Sequence, residues 1–205
     1  MKRLLTLSLV AVLSACGGGE PAAEAPAETE AEAAPEAAAQ PATAADQGPT
    51  GELTMPSWFT VDEASQTVDI TVTSGATPAK NYWNYNGAAD GTMRITVPEG
   101  YTVNVEFVNE DPNMAHSFGI EASRDMGAAP QPNPVFEGAV TESPTSMMEA
   151  TMTGETETVT FTAGAAGDYF MVCYVPGHLS TGMWIHFRVS GDGSAGVQGV
   201  VEEVM

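Results

Sequence analysis

Apolar and polar residues alternate with a period of two in several short stretches of the 205-residue chain, and glycine, proline or serine closes almost every one. Residues 67–73 read T-V-D-I-T-V-T and stop at Ser74-Gly75, and residues 92–97 alternate and stop at Pro98-Glu99-Gly100. Residues 101–108 follow, with Val103, Val105 and Phe107 facing one way, and residues 156–162 repeat the pattern with Val159 and Phe161. Successive side chains of a strand point to opposite faces, so each stretch predicts a strand with one apolar face. The 92–97 and 101–108 stretches are expected to be hairpin-linked strands of a half-buried antiparallel sheet. An apolar run at 169–172 and an alternating run at 184–189 predict two more strands, and residues 81–86 form an aromatic stretch ending at Gly87. Between residues 121 and 153 no period survives, and proline, methionine and glycine abound. A loop that long is unusual inside a compact domain, so short helical pieces or a long crossover are expected there. The whole reads as an all-β fold: a Greek-key β-sandwich of seven to eight strands over residues 51–190. Residues 191–205 form a C-terminal tail with no interpretable pattern.

The first fifty residues have a different texture. Lys2 and Arg3 precede an apolar run at 4–13 and then Ser14-Ala15-Cys16. A basic head, a short apolar core and small residues before a cleavage point predict a secretory signal over residues 1–15. The apolar run is about half of the roughly 20 residues that span a bilayer, which argues against a retained membrane helix. L-S-A-C resembles the lipobox of bacterial lipoproteins, which implies cleavage before Cys16, lipidation of its thiol, and a place in the cell envelope, periplasmic or anchored to the outer membrane. Residues 17–50 consist almost entirely of Ala, Pro, Glu, Thr and Gly. Such a segment cannot bury enough apolar surface to offset its ordering entropy and is expected to be a disordered linker. It would tether the domain to the lipid anchor in the membrane.

Charge narrows the partners. The chain carries a formal net charge of −21, with 27 acids against 6 lysines and arginines. That balance disfavours nucleic acid and anionic lipid surfaces and favours a protein partner with a basic docking face. There are two cysteines. With Cys16 taking lipid, the other is left for metal and no disulfide forms.

That second cysteine lies in the most informative stretch of the chain. Cys173, His178 and Met183 are spaced five and five between the strands predicted at 169–172 and 184–189, with Pro176-Gly177 as a turn between them. A thiolate, an imidazole and a thioether on one clamped loop suit a copper ion that alternates between Cu(I) and Cu(II). Such a site wants a second histidine, and the chain has three in all. His186 follows in alternation with Trp184 and Arg188 and reads as a surface residue. His116, in N-M-A-H-S-F at the end of a predicted strand, is the better partner. Met126, Met147, Met148 and Met152 read as loop packing, since methionine fills irregular gaps.

His116 followed by C-x4-H-x4-M resembles the type 1 (blue) copper proteins of the cupredoxin family. Within it, N-Y-N-G at 84–87, N-M-A-H-S-F and V-P-G-H-L-S-T-G-M-W are most similar to the sulfocyanins, and the rusticyanins come next. The resemblance covers about residues 58–190. It implies a copper held by His116, Cys173 and His178 with Met183 as a weak axial ligand, and a one-electron carrier rather than an enzyme, with redox proteins as donor and acceptor and no small-molecule substrate. It also implies that the backbone N–H of Ser117 bonds the Cys173 sulfur. Met114, Phe118, Pro176 and Trp184 are apolar sequence neighbours of the ligands, and no Asp, Glu, Lys or Arg lies between Tyr169 and Ile185. A dry surround disfavours the more highly charged Cu(II) form, so a fairly high potential is expected. The competing function is copper storage or delivery in the cell envelope, which would call for exposed Met/His clusters instead of an enclosed loop.

Overall fold

The computed structural model describes residues 48–199. The signal, Cys16 and most of the linker lie outside the described residues. Two sheets face each other. One holds β1 (Phe59–Asp62), β2 (Thr67–Ser74), β4 (Thr102–Asn109) and β6 (Thr156–Thr162) in the order β1-β2-β4-β6. The other holds β3 (Met93–Pro98), β5 (Gly119–Glu121), β7 (Gly167–Val172), β8 (Trp184–Ser190) and β9 (Gly196–Gly199) in the order β5-β7-β8-β3-β9. The alternation read from the sequence falls into register across strands. Val68, Ile70 and Val72 of β2 lie opposite Val103, Val105 and Phe107 of β4, and Val103 and Val105 lie opposite Phe161 and Val159 of β6. One sheet face therefore becomes continuously apolar, and it packs on Met93, Ile95, Val97, Met171, Ile185, Phe187 and Val189 of the other sheet. Burying each such side chain contributes about 1.5–3 kcal/mol.

One expectation needs correction. β3 and β4 are not a hairpin, because they belong to different sheets. The turn between them carries the chain across the sandwich, held by Glu99 N–H donating to Ser190 O (2.9 Å) and Gly100 N–H donating to Ala163 O (2.7 Å). β3 is buried at all six positions, between β8 on one side and β9 on the other. The partner a hairpin would have supplied comes instead from the stretch at 196–199, which had no reading in the sequence. Of the two alternatives for residues 121–153, the helical pieces are absent and the long crossover is present, from β5 in one sheet to β6 in the other. These residues run as an irregular strap, stitched to the fold by single bridges between Gly119 and Val140 and between His116 and Thr151.

That strap explains why the run leading to Cys173 is apolar at every position. Tyr169, Met171, Cys173 and Val175 join the core between the sheets, while Phe170, Val172 and Tyr174 form a second cluster with Leu179. Met126 and Val140 of the strap pack on this second cluster, so β7 is covered on both faces. The buried Tyr174 hydroxyl donates to Glu121 Oε1 at 2.6 Å and fixes the strap's beginning.

Candidate metal centre

The alternation of β7 continues one step past the strand, which turns Cys173 to the core side with Tyr169 and Met171. The chain then makes a tight loop. His178 N–H donates to Val175 O (3.0 Å), Met183 N–H donates to His178 O (3.0 Å), and Cys173 N–H donates to Met183 O (3.2 Å). These bonds fasten the backbones of Cys173, His178 and Met183 to one another. A short 3-10 turn at Leu179–Thr181 ends at Gly182, whose φ of 107° is open to glycine, and a Cβ there would collide with the Asp90 carboxylate. The strap adds a tie from outside, with Gly177 N–H donating to Ala128 O at 2.8 Å.

His116 arrives from the other side, beyond the end of β4. Asn109 and Asp111 shape its approach. The Asn109 amide donates to Met114 O and Thr151 O, both at 2.8 Å, and its oxygen accepts the Asp111 N–H. Asp111 accepts the N–H groups of Asn113 (2.8 Å) and Met114 (3.2 Å) on Oδ1. Its Oδ2 lies 2.8 Å from His116 Nε2. A carboxylate at that nitrogen accepts its proton and so leaves the Nδ1 lone pair free, the arrangement that orients metal-binding histidines.

The three candidate side chains converge. His178 Nδ1 is 3.2 Å from His116 Nδ1 and 3.5 Å from Cys173 Sγ, and all three residues are fully buried. Burial pulls both imidazoles below the ordinary histidine range; His178 falls to about 3, with His116 adding to the effect, and Asp111 only partly opposes the fall of His116. Both rings are thus neutral at pH 7. Burial also pushes the Cys173 thiol up, against the backbone N–H groups of Ser117 and Val175, the Ser117 hydroxyl and Tyr85. Two lone pairs and a thiol facing one another at these separations fit one cation, since donors sharing an ion at about 2.0–2.3 Å stand roughly this far apart. The cation would also displace the thiol proton that burial otherwise retains.

Ser117 stands beside the sulfur through its side chain. Its Oγ lies 3.7 Å from Cys173 Sγ and accepts the Tyr174 N–H at 3.1 Å. Met183 is fully buried, and its backbone lies between those of Cys173 and His178. Phe118 is a core residue, tilted against Phe107 with ring centres 5.3 Å apart. Met114 is half-buried and Pro176 is exposed, so Pro176 forms part of the rim and not of a dry shell. Trp184 packs with the second cluster, on the face of the sheet away from Cys173. His186 is not a surface residue. It is 4% exposed, with its ring centre 5.5 Å from that of Phe170 and 5.3 Å from that of Trp184. Its strand alternates correctly, but the outer face is itself covered; Gly91 sits so close that a Cβ would be 2.9 Å from His186 Nε2. Of the four loop methionines, Met126 and Met152 pack as expected, whereas Met147 and Met148 are 52% and 78% exposed.

Three contributors were not among the site residues read from the sequence. Asp111 stands five residues before His116 in a turn, and nothing periodic marks it. Tyr85, fully buried, donates its hydroxyl to Ser117 O at 2.6 Å and so fixes the residue beside the ligand. Trp83 stacks on His178 with ring centres 4.0 Å apart and planes at 21°. For Trp83 and Tyr85 the aromatic density of N-Y-W-N-Y-N-G was the available hint.

The chain is similar to several known proteins. A family model described as the sulfocyanin (SoxE) domain matches residues 56–198. Sulfocyanin of Sulfolobus acidocaldarius is 29% identical over 132 residues, which cover 59% of this chain and 62% of that protein. The chain thus spans less than two thirds of that relative's length. Rusticyanin of Acidithiobacillus ferrooxidans is 28% identical over 127 residues, covering 61% of this chain and 77% of that one. A solved structure of rusticyanin is 24% identical and superposes with a TM-score of 0.44, over 65% of this chain and 88% of the other.

Proposed function

The chain belongs to the sulfocyanin family, and on that premise we propose that it is a mononuclear type 1 (blue) copper protein that carries single electrons between redox proteins. The observation that carries the reading is the convergence of two neutral imidazoles and one thiol, all buried, on a single point. His116 and His178 would hold the copper through Nδ1, Cys173 through its thiolate, and Met183 would add its thioether. Bound there, copper supplies a reversible one-electron couple. The chain's own part is to keep that couple fast. The backbones of Cys173, His178 and Met183 are bonded to one another, and the Asp111 carboxylate holds His116 in place. Little needs to move when the charge changes. Full burial excludes water and substrate from the ligands, which supports a carrier over an enzyme and over a delivery protein that must release its metal.

Burial of His116, Cys173 and His178 also supports a fairly high potential. Cys16 as the lipid-bearing residue makes the protein an exported lipoprotein of the cell envelope, tethered to a membrane by residues 17–50. The net charge supports partners with a basic docking face. Visible absorption and EPR of the Cu(II)-loaded protein test the site. An intense thiolate-to-copper band with narrow hyperfine splitting, lost in Cys173→Ser, is expected; a pale spectrum with wide splitting would mean ordinary histidine-bound copper and would refute the reading.

A further inference from the structure

His178 has no exposed surface, so no partner can touch it. Trp83 stacks on it with ring centres 4.0 Å apart and is itself half-buried, so it keeps some exposed surface where His178 has none. Resting on the copper-carrier reading, we propose that Trp83 is the electron port of this protein: electrons enter and leave through the indole stacked on His178 and not through the histidine edge.

The segment that presents Trp83 is built at a cost. Lys80, Asn81 and Tyr82 have φ of 54°, 59° and 66°, three consecutive left-handed residues without a glycine among them. Side chains with a Cβ disfavour that region, and such conformations persist where the surrounding structure enforces them. Here it does. The Lys80 ammonium donates to Thr181 O (3.2 Å), at the end of the ligand loop's turn, and pairs with Asp90 at 2.7 Å. Asp90 N–H in turn donates to Gly182 O at 2.7 Å. The buried Asn84 amide holds the turn from beneath, donating to Thr77 O and Ala79 O at 2.8 and 2.9 Å. The stack forgoes hydrogen bonds as well: Trp83 Nε1 and His178 Nε2 are both buried without a partner. No hydrogen bond of the indole holds the two rings together, so the strained and clamped turn does.

The contact joins the buried His178 ring to a half-buried residue in one continuous π stack. In self-exchange one electron passes from a reduced copy to an oxidised copy; one copper is oxidised as the other is reduced, and no bond or proton changes. The indole is a conduit and holds no charge of its own.

The test uses the full-length copper-loaded protein with Trp83→Phe and Trp83→Leu. Self-exchange is read from proton NMR line broadening in mixed Cu(I)/Cu(II) samples, at high ionic strength so that like-charge repulsion between copies is screened. Phe keeps an aromatic ring and should exchange near the wild-type rate. Leu keeps His178 covered but saturated, and should slow exchange about tenfold with the thiolate band and EPR spectrum unaltered. In the apoprotein the His178 ring protons should show an upfield ring-current shift that Trp83→Leu removes, a readout independent of copper. Wild-type exchange in a spectroscopically intact Trp83→Leu protein, or unshifted His178 protons in the wild type, would overturn the proposal alone. A wild type without the thiolate band would overturn the carrier reading and this proposal with it.

Discussion

Replacing Asp111 by asparagine should raise the reduction potential and weaken copper binding together. Asp111 is 1% exposed, and its Oδ2 lies 2.8 Å from His116 Nε2. Asparagine keeps an oxygen for the N–H groups of Asn113 and Met114, so the turn should survive. What faces His116 is then an NH2 group, a donor against a donor. The cheapest relief puts the imidazole proton on Nδ1, where the metal should bind. Loss of a supporting group of this kind costs about 10–100-fold in metal affinity. The substitution also removes a negative charge. An ion bound at His116 Nδ1 would be about 6–7 Å from the carboxylate, and at an effective dielectric near 20 one unit of charge there is worth roughly 2–3 kcal/mol. Loss of that attraction destabilises Cu(II) more than Cu(I), so the potential should rise by on the order of 100 mV. A spectroelectrochemical titration of both proteins, with a chelator competition for Cu(II), measures the two effects. A potential within about 20 mV of wild type and an unchanged affinity would refute the assignment of Asp111 as the group that orients His116.

Two further outcomes follow from the same geometry. Tyr85→Phe removes the 2.6 Å bond to Ser117 O inside the core and should cost about 1–2 kcal/mol in denaturant unfolding of the apoprotein, against no change if that carbonyl were solvated. The apoprotein should also lose stability as the pH falls. His178 has a folded pKa near 3 because of its burial, below the ordinary value of 6.5. From about pH 6.5 down to about 3 the unfolded chain therefore binds a proton that the folded chain refuses, a loss on the order of 4 kcal/mol that is absent above pH 6.5. The slope of stability against pH should flatten across that window in His178→Gln; equal slopes for the two proteins would show that the ring is solvated.

Several corrections share one cause. The surface reading of His186 rested on alternation, and the alternation is real; the strap at 121–153 and the approach of Gly91 make the outer face a buried one. The hairpin reading of β3 and β4 rested on the turn between them, and that turn exists; it joins two sheets instead of two neighbours in one. Local pattern reports which side chains share a face, whereas what covers the face is set by segments distant in sequence.

Period-two apolar runs closed by glycine and proline determined that this chain is a β-sandwich, because a strand's two faces follow directly from residue order. The C-x4-H-x4-M loop and the distant His116 supplied the candidate donors, because thiol, imidazole and thioether are chemistries of residue type. Tertiary structure decided the rest. It set Asp111 against His116, Tyr85 under Ser117 and Trp83 over His178, and brought residues 196–199 back to close β3. These contacts join segments with no shared period, so only the closed sandwich could select them.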